Sequence, residues 1–78
     1  MILNVIIENA GPNWCAAPLS DEVGAILVTA ATRDETMTKF ARVLSEHLQD
    51  MRADGIEPPH IEAVEFHETV PFADALAA

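Results

Sequence analysis

Basic residues are scarce in this sequence of 78 residues, which holds 4 Lys and Arg against 13 Asp and Glu, for a formal net charge of −9. Nucleic acid is a poor ligand for such a chain, because its phosphates would be repelled rather than neutralised. The basic residues are also confined to residues 32–55, whereas residues 1–31 and 56–78 carry acids alone. This distribution suits docking against a basic protein, and it equally suits plain solubility.

Cysteine, glycine and long apolar runs are also sparse. The single cysteine, Cys15, excludes an internal disulfide and favours a reducing cytoplasm. Ala16 and Ala17 beside it are expected to pack under a helix, and Cys15 itself is expected to be a small buried residue. Three glycines are too few for a phosphate-binding loop. No apolar run approaches the roughly 20 residues that span a bilayer, and no signal-peptide pattern opens the chain, so a soluble cytoplasmic protein without a membrane partner is expected.

The length allows one small domain with a thin stability margin, so we expect self-association or a binding partner. Alternation of apolar and polar residues predicts four strands. In the first strand, Leu3, Val5 and Ile7 share the face that should be buried. A turn over residues 9–13 is short enough to close a hairpin with the second strand. The predicted strands are residues 2–8, 14–17, 25–30 and 61–67.

A helix is predicted between the third and fourth strands. Thr32 and Glu35 have the spacing of a capping box at its start, and apolar residues then recur with a period of 3.6 residues. Gly55 is the expected left-handed stop, and Pro58 and Pro59 prevent the helix from resuming. The apolar stripe consists of Met37, Phe40, Ala41, Leu44, Leu48 and Met51.

Two catalytic or metal sites can be weighed from the acidic and histidine residues, and neither is favoured. His60, Glu62, Glu65 and His67 come closest to a ligand cluster, but alternation puts Glu62 and Glu65 on opposite faces. A two-metal nuclease site would need acids at matched heights on adjacent strands. The acids Glu8, Asp21 and Glu65 do not meet that requirement, so no catalytic residue, metal or cofactor is expected.

The order of these features resembles the HicB family of antitoxins from toxin-antitoxin systems. The matching pieces are Trp14-Cys15-Ala16-Ala17, the loop residues Asp21 and Gly24, and Thr32 with Glu35 at the helix start. The sequence departs from the family pattern at Val23, where proline is usual, and at Ala31, where aspartate is usual. The match covers residues 2 to about 67, and each of its motifs is degenerate.

The resemblance implies an α+β fold, β-β-β-α-β, with a four-stranded mixed sheet of order 3-2-1-4 and one helix on one face, a truncated RNase H-like domain. That domain would span residues 1–68, followed by a short tail over residues 69–78. The implied function is non-catalytic: the protein would bind and mask a small basic ribonuclease toxin of the HicA type. Direct DNA binding is not expected, because the chain ends soon after the fourth strand.

Two sets of contact residues follow as expectations. Acidic residues outside the helix are the candidates for binding a basic toxin, and apolar residues of the tail are the candidates for an interface between copies. The alternative function is a solitary, self-associating structural or interaction domain that has no toxin partner. The candidate partner-binding residues are Asp21, Glu22, Glu62, Glu65 and Glu68, and the candidate oligomer contacts are Phe72 and Leu76.

Overall fold

The computed structural model describes residues 1–69, which form four strands and one helix in the order β-β-β-α-β. The sheet has the strand order β3-β2-β1-β4; β2 is antiparallel to both β1 and β3, and β4 is parallel to β1. The predicted α+β class, the mixed sheet and the order 3-2-1-4 are therefore confirmed. The elements are β1 (Ile2–Ala10), β2 (Asn13–Pro18), β3 (Val28–Ala30), α1 (Arg33–Ala53) and β4 (Ala63–Glu68).

The hairpin between β1 and β2 is tighter than the predicted five-residue turn. Ala10 and Asn13 are paired, so only Gly11 and Pro12 form the loop. Gly11 has a φ of +81°, and Pro12 is held at negative φ by its ring. A positive φ at the first loop position alone is the pattern of a type II′ turn, whose twist matches that of the flanking strands.

The third strand is shorter than predicted, since only Val28–Ala30 of the expected residues 25–30 join the ladder. Its register pairs Ala16 with Val28, which would place Pro18 opposite Ile26. The Leu19 N–H already donates to the Asn4 carbonyl at 2.9 Å, so alternation turns the Pro18 nitrogen toward β3. Proline has no N–H to donate there, and the ladder stops.

The helix α1 begins and ends where the sequence predicts. The Thr32 hydroxyl accepts from the Glu35 N–H at 3.1 Å, which satisfies one free donor of the first turn. At the other end, Gly55 has a φ of +77° and its N–H donates to the Arg52 carbonyl, while the Ile56 N–H donates to Met51. These two bonds form a Schellman motif. No helix within residues 1–69 has the length and apolar character that crossing a membrane requires.

The core lies between α1 and one face of the sheet. Leu3, Val5 and Ile7 are fully buried, as the alternation predicts. Phe40 of α1 is also fully buried and meets Phe66 of β4 edge to face, with 5.9 Å between the ring centroids. The helix therefore covers one face of the sheet, and the other face is left open within residues 1–69.

Candidate functional site

The open face of the sheet carries no Lys or Arg. Side chains alternate between the faces of a strand, so the residues that point away from α1 can be read from the strand register. All four Lys and Arg of the chain lie within α1, on the opposite side. The open-face residues are Ile2, Asn4, Ile6 and Glu8 of β1, Cys15 and Ala17 of β2, Thr29 of β3, and Ala63, Glu65 and His67 of β4.

Two polar contacts tie neighbouring strands together on this face. The Cys15 thiol donates to the Glu8 carboxylate across a Sγ–Oε1 distance of 3.7 Å. Burial raises the pKa of the Cys15 thiol, and the negative charge of Glu8 raises it further. His67 Nε2 lies 2.9 Å from Asn4 Oδ1, within hydrogen-bond distance for the tautomer protonated at Nε2. Of the two alanines expected to pack under the helix, Ala16 faces α1 and is buried, whereas Ala17 lies on the open face. Cys15, expected to be buried, is only partly buried and also lies on the open face.

An apolar groove opens at one side of this face, where β2 and the segment before β3 separate. Leu19 follows β2 and is 61% exposed, and Leu27 precedes β3 and is 71% exposed. Both line a groove of about 540 Å³, together with Ala17, Pro18 and Asp21 among others. Within residues 1–69, these two leucines are the most exposed large apolar side chains. Neither leucine stands out in the sequence, because Leu27 lies in the middle of the predicted third strand, residues 25–30.

The five predicted partner-binding acids do not form one cluster. Glu65 lies on the open face, paired in register with Asn4. Glu68 points toward the α1 side, and the Arg33 guanidinium donates to its carboxylate at 2.9 Å. Glu62 lies 3.9 Å from the Met1 ammonium. Arg33 therefore places a cation beside one of the five predicted partner-binding acids.

Asp21 and Glu22 lie on the other side of the sheet, in the loop between β2 and β3. A hydrogen bond of 3.0 Å from the Gly24 N–H to the Asp21 carbonyl closes a turn. The turn buries Val23 completely and leaves Asp21 and Glu22 exposed. β1 and β2 lie between this loop and β4, so the predicted acids belong to two separate surfaces. Phe72 and Leu76, the predicted oligomer contacts, lie outside the described residues.

No group of three or more His, Cys, Asp or Glu side chains within residues 1–69 is placed to hold a metal ion. His60 belongs to the segment between α1 and β4, and His67 contacts Asn4 on the open face. The four residues weighed as a ligand cluster therefore do not converge: Glu65 and His67 share the open face of β4, whereas His60 and Glu62 precede the strand. Comparisons of the chain with protein-family models, with curated proteins and with solved structures gave no match.

Proposed function

We propose that this protein is a HicB-like antitoxin, a non-catalytic cytoplasmic module that binds and masks a small basic ribonuclease toxin. The observation that carries the proposal is the separation of charge between the two sides of the molecule. The open face holds Glu8 and Glu65 around an apolar centre, without any Lys or Arg. A basic protein approaching this face meets attraction from the carboxylates and no repulsion from a neighbouring cation.

The strand order supports the same proposal. The order β3-β2-β1-β4, with β4 parallel to β1, is what the resemblance to the HicB family implies for a truncated RNase H-like sheet. Fold alone does not assign a function, so the resemblance adds to the charge distribution and does not replace it.

A binding role fits the carboxylate positions better than nuclease chemistry does. Glu65 is paired with Asn4, which is four residues from Glu8 along β1. At about 3.3 Å a residue, the two open-face carboxylates begin about 13 Å apart along the sheet. A two-metal nuclease site holds its ions about 4 Å apart, and its ligands must converge on them. Glu8 and Glu65 do not converge.

The proposal predicts that a small basic protein is encoded beside this gene, and co-expression of the chain with that neighbour protein is the test. That protein alone should arrest bacterial growth, and the chain should relieve the arrest and elute with it as one complex from a size-exclusion column. The complex should weaken as salt increases, because the charged surfaces are screened. An arrest that the chain does not relieve, together with separate elution, would contradict the proposal.

A second candidate function is self-association through the open face, without a toxin. Ile2, Leu19 and Leu27 favour it, because each exposes at least half of its surface there. The net charge of −9 opposes it, since two copies repel each other. Light scattering of the purified chain separates the candidates: a dimer that persists in low salt supports self-association, and a monomer rejects it.

A further inference from the structure

The groove beside Leu19 and Leu27 exists because of one residue. Pro18 prevents the β2–β3 ladder from continuing. Residues 25–27 therefore run alongside the end of β2 without joining it in the hydrogen-bonded ladder. The chain returns to the core at Ile26 and Val28, which are buried, and between them Leu27 is turned outward. The exposure of Leu27 is therefore built into the backbone path and does not depend on a choice of rotamer.

The groove has the character of an anchor site for a protein partner. Its volume of about 540 Å³ and its mainly aliphatic lining suit apolar side chains. Anchors of this kind carry a large share of binding energy when the surrounding contacts exclude water. Asp21 lies at the groove, its neighbour Glu22 is exposed, and all four Lys and Arg of the chain lie on α1.

We propose that this groove takes an apolar side chain of a partner protein, with a Lys or Arg beside it in the partner sequence that pairs with Asp21. This inference rests on the proposed function. It places the main contact of the basic partner at the β2–β3 side of the open face, away from β4. Leu19 and Leu27 contact the apolar side chain, and the Asp21 carboxylate pairs with the adjacent Lys or Arg of the partner. Glu65 of β4 then lies at the edge of the contact and adds electrostatic attraction there.

Two short peptides test the groove without any toxin. NMR titration of the isotope-labelled full chain with acetyl-Lys-Trp-Lys-amide should shift the amides of Leu19, Asp21 and Leu27. The matched peptide acetyl-Lys-Ser-Lys-amide, which has the same charge, should leave them in place. Equal shifts from both peptides, or shifts confined to other residues, would overturn the proposal.

Variants make the same test at the level of the complex. Leu27→Ser and Leu19→Ser should each weaken binding of the basic neighbour protein by roughly tenfold or more, as expected of an anchor residue. Ile56→Ser is the matched control, because Ile56 is 54% exposed and lies just beyond α1, outside the groove. Since these side chains are largely exposed, the variants should remain folded.

The outcomes separate the groove from the antitoxin role. If the neighbour protein binds the wild-type chain and both leucine variants equally well, the groove proposal fails while the antitoxin proposal stands. If no basic neighbour binds, the antitoxin proposal fails, and the peptide titration alone decides the groove.

Discussion

Arg33 and Glu68 join the first turn of α1 to the last residue of β4, through a hydrogen bond of 2.9 Å from Nε to Oε1. The side chains are 42% and 41% exposed, respectively, so water screens the pair. Glu68 points toward α1 and has a cation beside it, so Glu65 is the acid that β4 places on the open face.

The contribution of the Arg33–Glu68 pair to the stability of the protein can be predicted from its exposure. A double-mutant cycle of Arg33→Ala and Glu68→Gln should give a coupling free energy of less than about 1 kcal/mol, because exposed ion pairs seldom exceed that value. Urea unfolding of the four proteins of the cycle measures it. A coupling of several kcal/mol would show that the pair is far better shielded than its exposure implies.

The core depends much more strongly on Phe40. Its side chain is fully buried against Phe66, so Phe40→Ala should cost about 3–5 kcal/mol and leave most of the chain unfolded in circular dichroism. Phe66→Leu keeps an apolar side chain and loses the edge-to-face contact, at a cost of at least about 0.5–1.5 kcal/mol. A folded, cooperative Phe40→Ala protein would contradict this account of the core.

The reactivity of Cys15 should depend on Glu8. Burial and the Glu8 charge both raise the thiol pKa, so less reactive thiolate is present at a given pH than for a free cysteine. Glu8→Gln removes the charge, lowers the pKa and should speed alkylation by iodoacetamide at mildly alkaline pH. Glu65→Gln is the control, because Glu65 lies two strands away from Cys15 in the sheet order. Equal acceleration by both variants would exclude a specific Glu8 effect.

Pro18 offers a direct test of why β3 is short. Pro18→Ala supplies an N–H that faces residues 25–27, so the ladder should lengthen toward Ile26. Hydrogen exchange of the new amide at position 18 should be slowed, and the groove beside Leu27 should narrow. An amide that exchanges as fast as those of the exposed Asp21 loop would show that another constraint ends the strand.

The elements that the sequence predicts correctly depend on local chemistry. The Thr32 cap, the Gly55 stop and the alternation of Leu3, Val5 and Ile7 each involve residues close together in the chain. The strand order is not a local property. The residues alone do not decide which edge of the sheet β4 joins, and only the resemblance to the HicB family implies that it lies beside β1.

The errors arise where tertiary contacts decide the outcome. The i, i+4 spacing of Glu35 and Lys39 predicts an ion pair along α1, but the Lys39 ammonium donates to the Thr29 carbonyl of β3 at 2.9 Å. The predicted helix stripe includes Ala41, which is exposed. Ala17 looks like a helix-facing residue by composition, but the register of β2 turns it to the open face. The groove is not predicted from the sequence, because it forms where Pro18 at the end of β2 shortens β3.

The proposed function requires a basic protein to bind the open face and not the helix side. Glu65→Lys on the open face and Glu46→Lys on the exposed side of α1 change the net charge of −9 by the same amount. Calorimetric titration with the basic neighbour protein at low salt should show roughly tenfold or greater loss of affinity for Glu65→Lys and little change for Glu46→Lys. Equal losses for the two variants, or a larger loss for Glu46→Lys, would contradict the account.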